Sequence, residues 1–187
     1  MRNRLFESGG MGGRRFFATE VVQTSAMDCG PAALKSLLEG FGIPISYGRL
    51  REACQTDVDG TSIDTLEDVA RKLGLSAQQL MAPADHLLLP EANLLPALVV
   101  TVLPSGLPHF VVIWRTVGRW VQVMDPAVGR RWIARQQLLS ELYLHQLPYP
   151  ASDWREWAAS TGLEQPLRRR LENLQLADAA ISSLLAQ

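Results

Sequence analysis

The spacing of apolar residues changes along the chain at about residue 75. Before that point, apolar residues recur at helical intervals and predict helices over 31–41, 45–53 and 61–73. After it, β-branched and aromatic residues form short runs separated by turn residues, which is typical of antiparallel strands. Helices followed by antiparallel strands indicate an α+β domain.

Local signals mark the ends of several of these elements. Pro31 lies in the first turn of the first helix and Gly42 follows its last residues. The run Thr61-Ser62-Ile63-Asp64 is a capping box that starts the third helix, and Gly74 ends it. The remaining predicted elements are strands over 16–22, 98–103, 110–114, 120–124 and 131–133, and a helix over 136–142.

Composition changes divide the chain into three parts. Residues 1–15 hold four arginines and several glycines and lack the apolar segment of a secretory signal, so we predict a flexible arm. Residues 16–150 form the main domain. Residues 151–187 are rich in helix formers and predict helices over 154–160 and 166–185, as a helical tail or connector.

Charge and composition exclude several classes of protein. A net charge of −1 offers no field for binding nucleic acid, and no apolar segment approaches the roughly 20 residues that span a bilayer. The only cysteines, Cys29 and Cys54, are not spaced as metal ligands or as a redox pair, and His86 and His145 have no ligand partner nearby in sequence. We expect no metal, no cofactor, no direct membrane insertion and a reduced, cytoplasmic setting.

Cys29 is the strongest candidate for a reactive residue. It lies at the start of a predicted helix, where unpaired N–H groups and the helix dipole lower the pKa of a thiol. Its neighbour Gly30 has no side chain, which lets a substrate backbone approach. The alternative is that Cys29 is a small buried hydrophobe, as most isolated cysteines are; Cys54 fits that structural role.

His109 and Asp125 are candidate partners of Cys29. His109 precedes a predicted strand, and Asp125 closes the next one, so a hairpin places them at the same end, where Asp125 accepts the Nδ1–H of His109. Gln23, six residues before Cys29, is a candidate oxyanion-hole donor. Alternatively His109 is structural, Asp125 starts a turn before proline, and Gln23 is a surface residue.

Together these residues resemble the cysteine peptidases that remove double-glycine leaders from bacteriocins and related exported peptides, usually as N-terminal domains of ABC transporters. The similarity spans 23–142. The blocks that carry it are Gln23, Asp28-Cys29-Gly30-Pro31-Ala32, Gly60-Thr61-Ser62, Ala70-Arg71-Lys72-Leu73-Gly74-Leu75, His109-Phe110-Val111-Val112, and Asp125-Pro126-Ala127 with Gly129.

The resemblance implies a papain-like fold, with N-terminal helices packed on a C-terminal antiparallel sheet. It implies Cys29 as nucleophile, His109 as base, Asp125 as the residue that orients the base, and Gln23 in the oxyanion hole. The implied substrate is a leader peptide with an amphipathic helix, cleaved after Gly-Gly or Gly-Ala. The implied partner is a membrane ABC transporter, which places the domain at the inner face of the cell membrane.

The chain departs from such transporters because it has a helical tail in place of their transmembrane and nucleotide-binding parts, so the resemblance does not extend export or ATP use to this chain. Two alternatives stay open. The domain could bind leader peptides without cutting them, as part of an export system. A papain-like domain can also transfer an acyl group to an amine, since fold does not dictate reaction.

Overall fold

The computed structural model describes residues 14–146 and 150–185. The chain divides into two compact units, residues 1–143 and 144–187, and the division precedes the boundary predicted at residue 150. Over the described residues 14–143, the first unit contains three helices, then a four-stranded sheet and a fourth helix. Its helices are α1 (Cys29–Gly40), α2 (Tyr47–Ala53), α3 (Ile63–Lys72) and α4 (Arg135–Glu141).

The sheet is antiparallel throughout, and its strands follow one another in chain order. The strands are β1 (Ala97–Val102), β2 (Pro108–Val117), β3 (Trp120–Asp125) and β4 (Gly129–Ala134). Short 3₁₀ turns at Ala84–His86 and Pro90–Ala92 precede it. Helices packed on an antiparallel sheet are the α+β arrangement that the periodicity predicts.

The central strand β2 contributes to hydrophobic clusters on both faces of the sheet, because successive side chains of a strand point to opposite faces. Val112 and Trp114 pack in the cluster that holds α1, α2 and α3. Val111 and Ile113 pack in a second cluster, with Leu138 of α4. Burial on both faces explains why the sequence of β2 is almost continuously apolar.

The segment 16–22 was predicted as a strand, and that prediction is wrong. Backbone groups of this segment form hydrogen bonds with side chains instead of with a neighbouring strand. The Ala18 N–H donates to Oε1 of the buried Gln122 at 2.7 Å, and the Ser36 hydroxyl donates to the Thr19 carbonyl at 2.6 Å. The segment is therefore irregular and is held to the first unit by hydrogen bonds.

Most of the predicted flexible arm, residues 1–13, lies outside the described residues. Its last two residues are held in place. The Arg15 N–H donates to the Gly40 carbonyl at 2.9 Å, and the Trp114 indole donates to the Arg15 carbonyl at 3.1 Å. Arg14 stacks on the Trp114 ring and donates to the Trp114 carbonyl.

The second unit contains α5 (Ala151–Ala158), α6 (Thr161–Asn173) and α7 (Asp178–Leu185). The single helix predicted over 166–185 is two helices, because Gln175 takes a positive φ of 59° between them.

The start of α3 in the first unit also differs from the prediction. α3 is capped by Ser62, whose hydroxyl accepts the Thr65 N–H at 3.2 Å, and not by Thr61. Within 14–146 and 150–185, no helix has the length and apolarity needed to cross a membrane.

Candidate active site

Cys29 is the first residue of α1, as the helix signals predict. It is partly buried, and its sulfur lies near the backbone N–H groups of Gly30 and Phe110. The N-terminal turn of a helix presents unpaired N–H groups and the positive end of the helix dipole. The sulfur thus lies where a negative charge is stabilised.

His109 and Asp125 meet at one end of the β2–β3 hairpin. The register that pairs Val112 with Met124 puts His109 and Asp125 diagonally across the two strands. His109 Nε2 lies 2.8 Å from Asp125 Oδ1, and both residues are buried. The chain thus brings together a histidine and a carboxylate that are 16 residues apart.

The ring nitrogen that faces Asp125 is Nε2, whereas the sequence analysis predicted Nδ1, so that detail is wrong. Nε2 lies at the far end of the imidazole from the β2 backbone and therefore reaches the neighbouring strand. Nδ1 is then the nitrogen left for Cys29, with which the ring also forms a hydrogen bond.

The electrostatics of the three groups favour a thiolate–imidazolium pair. Burial raises the pKa of Cys29, but the His109 hydrogen bond, the Phe110 and Gly30 N–H groups and the His109 charge outweigh burial and lower it. Burial lowers the pKa of His109, but hydrogen bonds and charges from Asp125 and Cys29 raise it to about 9. Both shifts favour a negative sulfur beside a positive ring.

Asp125 is held by further donors. The Ala127 N–H donates to its Oδ1 at 2.9 Å, and Arg131 Nη2 lies 3.3 Å from its Oδ2. Burial raises the pKa of Asp125, yet the His109 hydrogen bond, the Ala127 N–H and the two positive charges keep it lowered. Arg131 also contacts Glu141 at 2.9 Å. Arg131 is not among the residues predicted from the sequence; a cation placed shortly after the Asp125 turn was the available signal.

Gln23 is tied to the loop that follows Asp125. Its N–H donates to the Pro126 carbonyl at 2.9 Å. Its side chain is partly buried, and its Oε1 has no hydrogen-bond partner in the part of the chain that the structure describes. The segment that carries Gln23 is thus attached to the residue directly after Asp125.

Asp28, which the sequence indicates only as part of a motif, is completely buried and directly precedes Cys29. Its Oδ2 accepts a hydrogen bond from the Thr24 hydroxyl at 2.8 Å, and its Oδ1 lies 2.9 Å from Nε of Arg51 on α2. Buried carboxylates are costly unless they are paired in this way. The only sequence signal was an acid immediately before the candidate nucleophile.

Gly30 has a packing role that sequence analysis did not predict. A Cβ on Gly30 would lie 3.2 Å from the Thr61 Cβ and 3.4 Å from methyl groups of Leu66, so α1 and the start of α3 approach closely there. The interpretation that Gly30 leaves room for a substrate backbone stays a prediction.

The other cysteine and the other histidines are not among the groups that shift the pKa values of Cys29, His109 and Asp125. Cys54 is buried in the hydrophobic core, where burial raises its pKa to about 11. His86 has a buried Nε2, and His145 is exposed. Over 14–146 and 150–185, no group of three or more histidine, cysteine, aspartate or glutamate residues could hold a metal ion.

The chain also matches a known protein family. Residues 19–144 match the profile of the Peptidase C39 family. The chain belongs to this family. The resemblance inferred from the sequence motifs is thereby confirmed.

Curated relatives of this Peptidase C39 member include transporters and separate peptidases. Lactococcin-G-processing and transport ATP-binding protein LagD of Lactococcus lactis subsp. lactis is 31% identical over 110 residues, 59% of this chain and 16% of LagD. Probable functional amyloid protease FapD of Pseudomonas aeruginosa PAO1 is 31% identical over 125 residues, 63% of this chain and 54% of FapD. The chain thus spans about a sixth of the length of LagD.

Solved structures of similar fold include peptidase domains of transporters. The peptidase domain of Streptococcus ComA, a bifunctional ABC transporter, matches with a TM-score of 0.59 and 25% identity over 67% of this chain and 92% of that one. A double glycine motif protease from an AMS/PCAT transporter, solved with a leader peptide, matches with a TM-score of 0.57 and 22% identity over 68% and 89%. The predicted papain-like fold class is confirmed.

Proposed function

We propose that this Peptidase C39 domain is a cysteine endopeptidase that removes the leader of a bacteriocin-like precursor peptide after a Gly-Gly or Gly-Ala pair. The single observation that carries the proposal is the contiguous Cys29, His109 and Asp125 cluster at the tip of α1. Relatives and similar structures named for bacteriocin processing and double-glycine cleavage support the substrate class.

The proposed reaction begins with attack of the Cys29 thiolate on the carbonyl carbon of the second small residue. The oxyanion that forms is held by the Cys29 backbone N–H and the Gln23 side-chain amide. His109 gives its Nδ1 proton to the leaving amine, which releases the mature peptide and leaves the leader as a thioester on Cys29.

Water completes the cycle. Neutral His109 takes a proton from the water that attacks the thioester, and collapse of the second tetrahedral intermediate releases the leader carboxylate and the thiolate. Asp125 holds Nε2 throughout, so that Nδ1 stays directed at the reacting atoms and the imidazolium is stabilised. The peptidase works in this scheme without a metal.

The proposed partner is an ABC transporter that exports the processed peptide, and the proposed location is the cytoplasmic face of the membrane. Relatives named as transport and processing proteins support this pairing. In the proposal the second unit, residues 144–187, acts as the connector to that partner.

The test is cleavage of a synthetic double-glycine leader peptide by purified protein, followed by mass spectrometry. The wild type and the Cys54→Ala control are expected to cut after the second glycine, and Cys29→Ala is expected to bind the leader without cutting it. Cleavage by Cys29→Ala at the wild-type rate refutes the nucleophile. Micromolar binding with no cleavage by the wild type would favour the binding-module alternative, and an amide product from an added amine would favour acyl transfer.

A further inference from the structure

The carboxylate of Asp28 does not cap the helix that it precedes. Asp28 is the N-cap residue of α1, and its backbone carbonyl accepts the Ala32 N–H as the first bond of the helix, yet its side chain accepts no hydrogen bond from the first turn. Aspartate at this position usually accepts an N–H of the first turn. The Asp28 side chain is therefore directed at something other than its own helix.

Asp28 forms hydrogen bonds within the loop that follows Gln23. Its Oδ2 accepts from the Thr24 hydroxyl at 2.8 Å, and its backbone N–H donates to the Ser25 carbonyl at 3.2 Å. Arg51 reaches in from α2 and places its Nε 2.9 Å from Oδ1. The completely buried Asp28 carboxylate is thus paired with the Arg51 cation and hydrogen-bonded to Thr24, the residue after Gln23.

Gln23 consequently lies between two attachments. On one side its own N–H is bonded to the carbonyl of Pro126, directly after Asp125. On the other side Thr24 is bonded to Asp28, directly before Cys29. Short attachments on both sides leave a residue little freedom, and an oxyanion donor acts only when it is held close to its required position.

We propose that Thr24 and Asp28, with Arg51 as counter-ion, are positioning residues that hold the Gln23 amide at the oxyanion of the reaction. This inference rests on the proposed peptidase function and adds to it a set of residues that act through Gln23. None of the three needs to contact the substrate.

A carboxylate next to a nucleophilic thiolate is otherwise unfavourable, because like charges raise the pKa of a thiol. Arg51 removes that disadvantage, since it balances the Asp28 charge at 2.9 Å. The ion pair therefore allows Asp28 to hold Thr24 without opposing the thiolate of Cys29.

The experiment uses Thr24→Val, which removes the hydroxyl and keeps the side-chain shape at an exposed residue. With a double-glycine leader peptide, kcat is expected to fall by about 10- to 100-fold. The oxyanion forms only in the transition state, so a misplaced donor weakens binding of the transition state and not of the substrate. KM is expected to change by less than about twofold. Thr24→Ser, which restores the hydroxyl, is expected to recover most of kcat.

Two further measurements separate positioning from a general structural effect. Alkylation of Cys29 by iodoacetamide forms no oxyanion, so Thr24→Val is expected to be alkylated at the wild-type rate. In a Gln23→Ala background, Thr24→Val is expected to lower kcat no further, because residues that act through one another are not additive. Thr116→Val, at the opposite end of β2, is the matched control and is expected to match the wild type.

The outcomes distinguish this inference from the function on which it rests. If the wild type cleaves and Thr24→Val retains full kcat, the positioning role is wrong and the peptidase stands. If alkylation slows as much as cleavage, or if the two substitutions add, Thr24 acts on Cys29 or on the fold, and the inference is again wrong. A wild type that does not cleave refutes the peptidase itself.

Discussion

Replacing Asp125 by Asn tests whether the Asp125 carboxylate supports a thiolate–imidazolium pair. Asn keeps the shape of the side chain, and its carbonyl oxygen can still accept the Ala127 N–H that Asp125 accepts at 2.9 Å. It removes the negative charge that lies 2.8 Å from His109 Nε2. The substitution therefore changes the charge at the site with little change in packing.

The size of the effect follows from the His109 pKa. That pKa is raised to about 9, whereas an unperturbed histidine titrates near 6.5, a difference equivalent to about 3 kcal/mol. Burial opposes the rise, and Asp125 and Cys29 share in causing it. A hydrogen bond between charged groups contributes about 1.5–3 kcal/mol, so loss of the Asp125 charge is expected to lower the pKa of His109 to about 7.5.

Loss of the Asp125 charge shifts the pKa values of His109 and Cys29 in opposite directions. The imidazolium is present below the His109 pKa, so a lower pKa moves the alkaline limit of activity down. At pH 8.5 the protonated fraction of His109 falls from about three quarters to about a tenth. The pKa of Cys29 rises, because a neutral ring no longer attracts the thiolate, so the acid limit moves up. The active pH range narrows from both sides.

The assay is the pH profile of kcat/KM for a double-glycine leader peptide, with the pH profile of Cys29 alkylation as an independent measure of the thiolate. Asp68→Asn, on an exposed position of α3, is the matched control and is expected to leave both profiles unchanged. A profile for Asp125→Asn whose alkaline limb stays near pH 9 would refute the reasoning. It would show that Cys29, and not Asp125, keeps the pKa of His109 high.

Two further predictions concern packing and thiol reactivity. Gly40→Ala is expected to lower the free energy of unfolding by about 1–3 kcal/mol in urea titrations, because a Cβ there would lie 2.9 Å from Cζ3 of Trp114. The control Gly48→Ala meets no atom within 4 Å and is expected to be neutral or stabilising by up to about 1 kcal/mol. Iodoacetamide at pH 7 is expected to label Cys29 and spare Cys54, whose pKa is about 11 and whose side chain is buried, until the protein is unfolded. Peptide mass spectrometry measures this, and equal labelling of both cysteines in the folded protein would contradict it.

Local chemistry made the helices and the main strands predictable. Pro31 and Gly42 bracket α1, and the β-branched runs coincide with β1 to β4, because both signals act within a few residues of the chain. The helix start at Cys29 is also local, so the position of the candidate nucleophile followed from the sequence. The segment 16–22 resembled a strand because its apolar residues are the kind that form strands. Its backbone bonds instead to a residue far along the chain, such as Gln122, which local sequence does not indicate.

The amino-acid sequence by itself determined the order of helices and strands, the family, and the four candidate residues Cys29, His109, Asp125 and Gln23. Only the tertiary structure decided that Nε2 of His109 faces Asp125, that Arg131 contacts the same carboxylate, and that Asp28 pairs with Arg51. Such contacts depend on how α1 and α2 pack beside the sheet. Spacing along the chain does not determine distance in space between residues on different elements, which is set by the packing of the whole core.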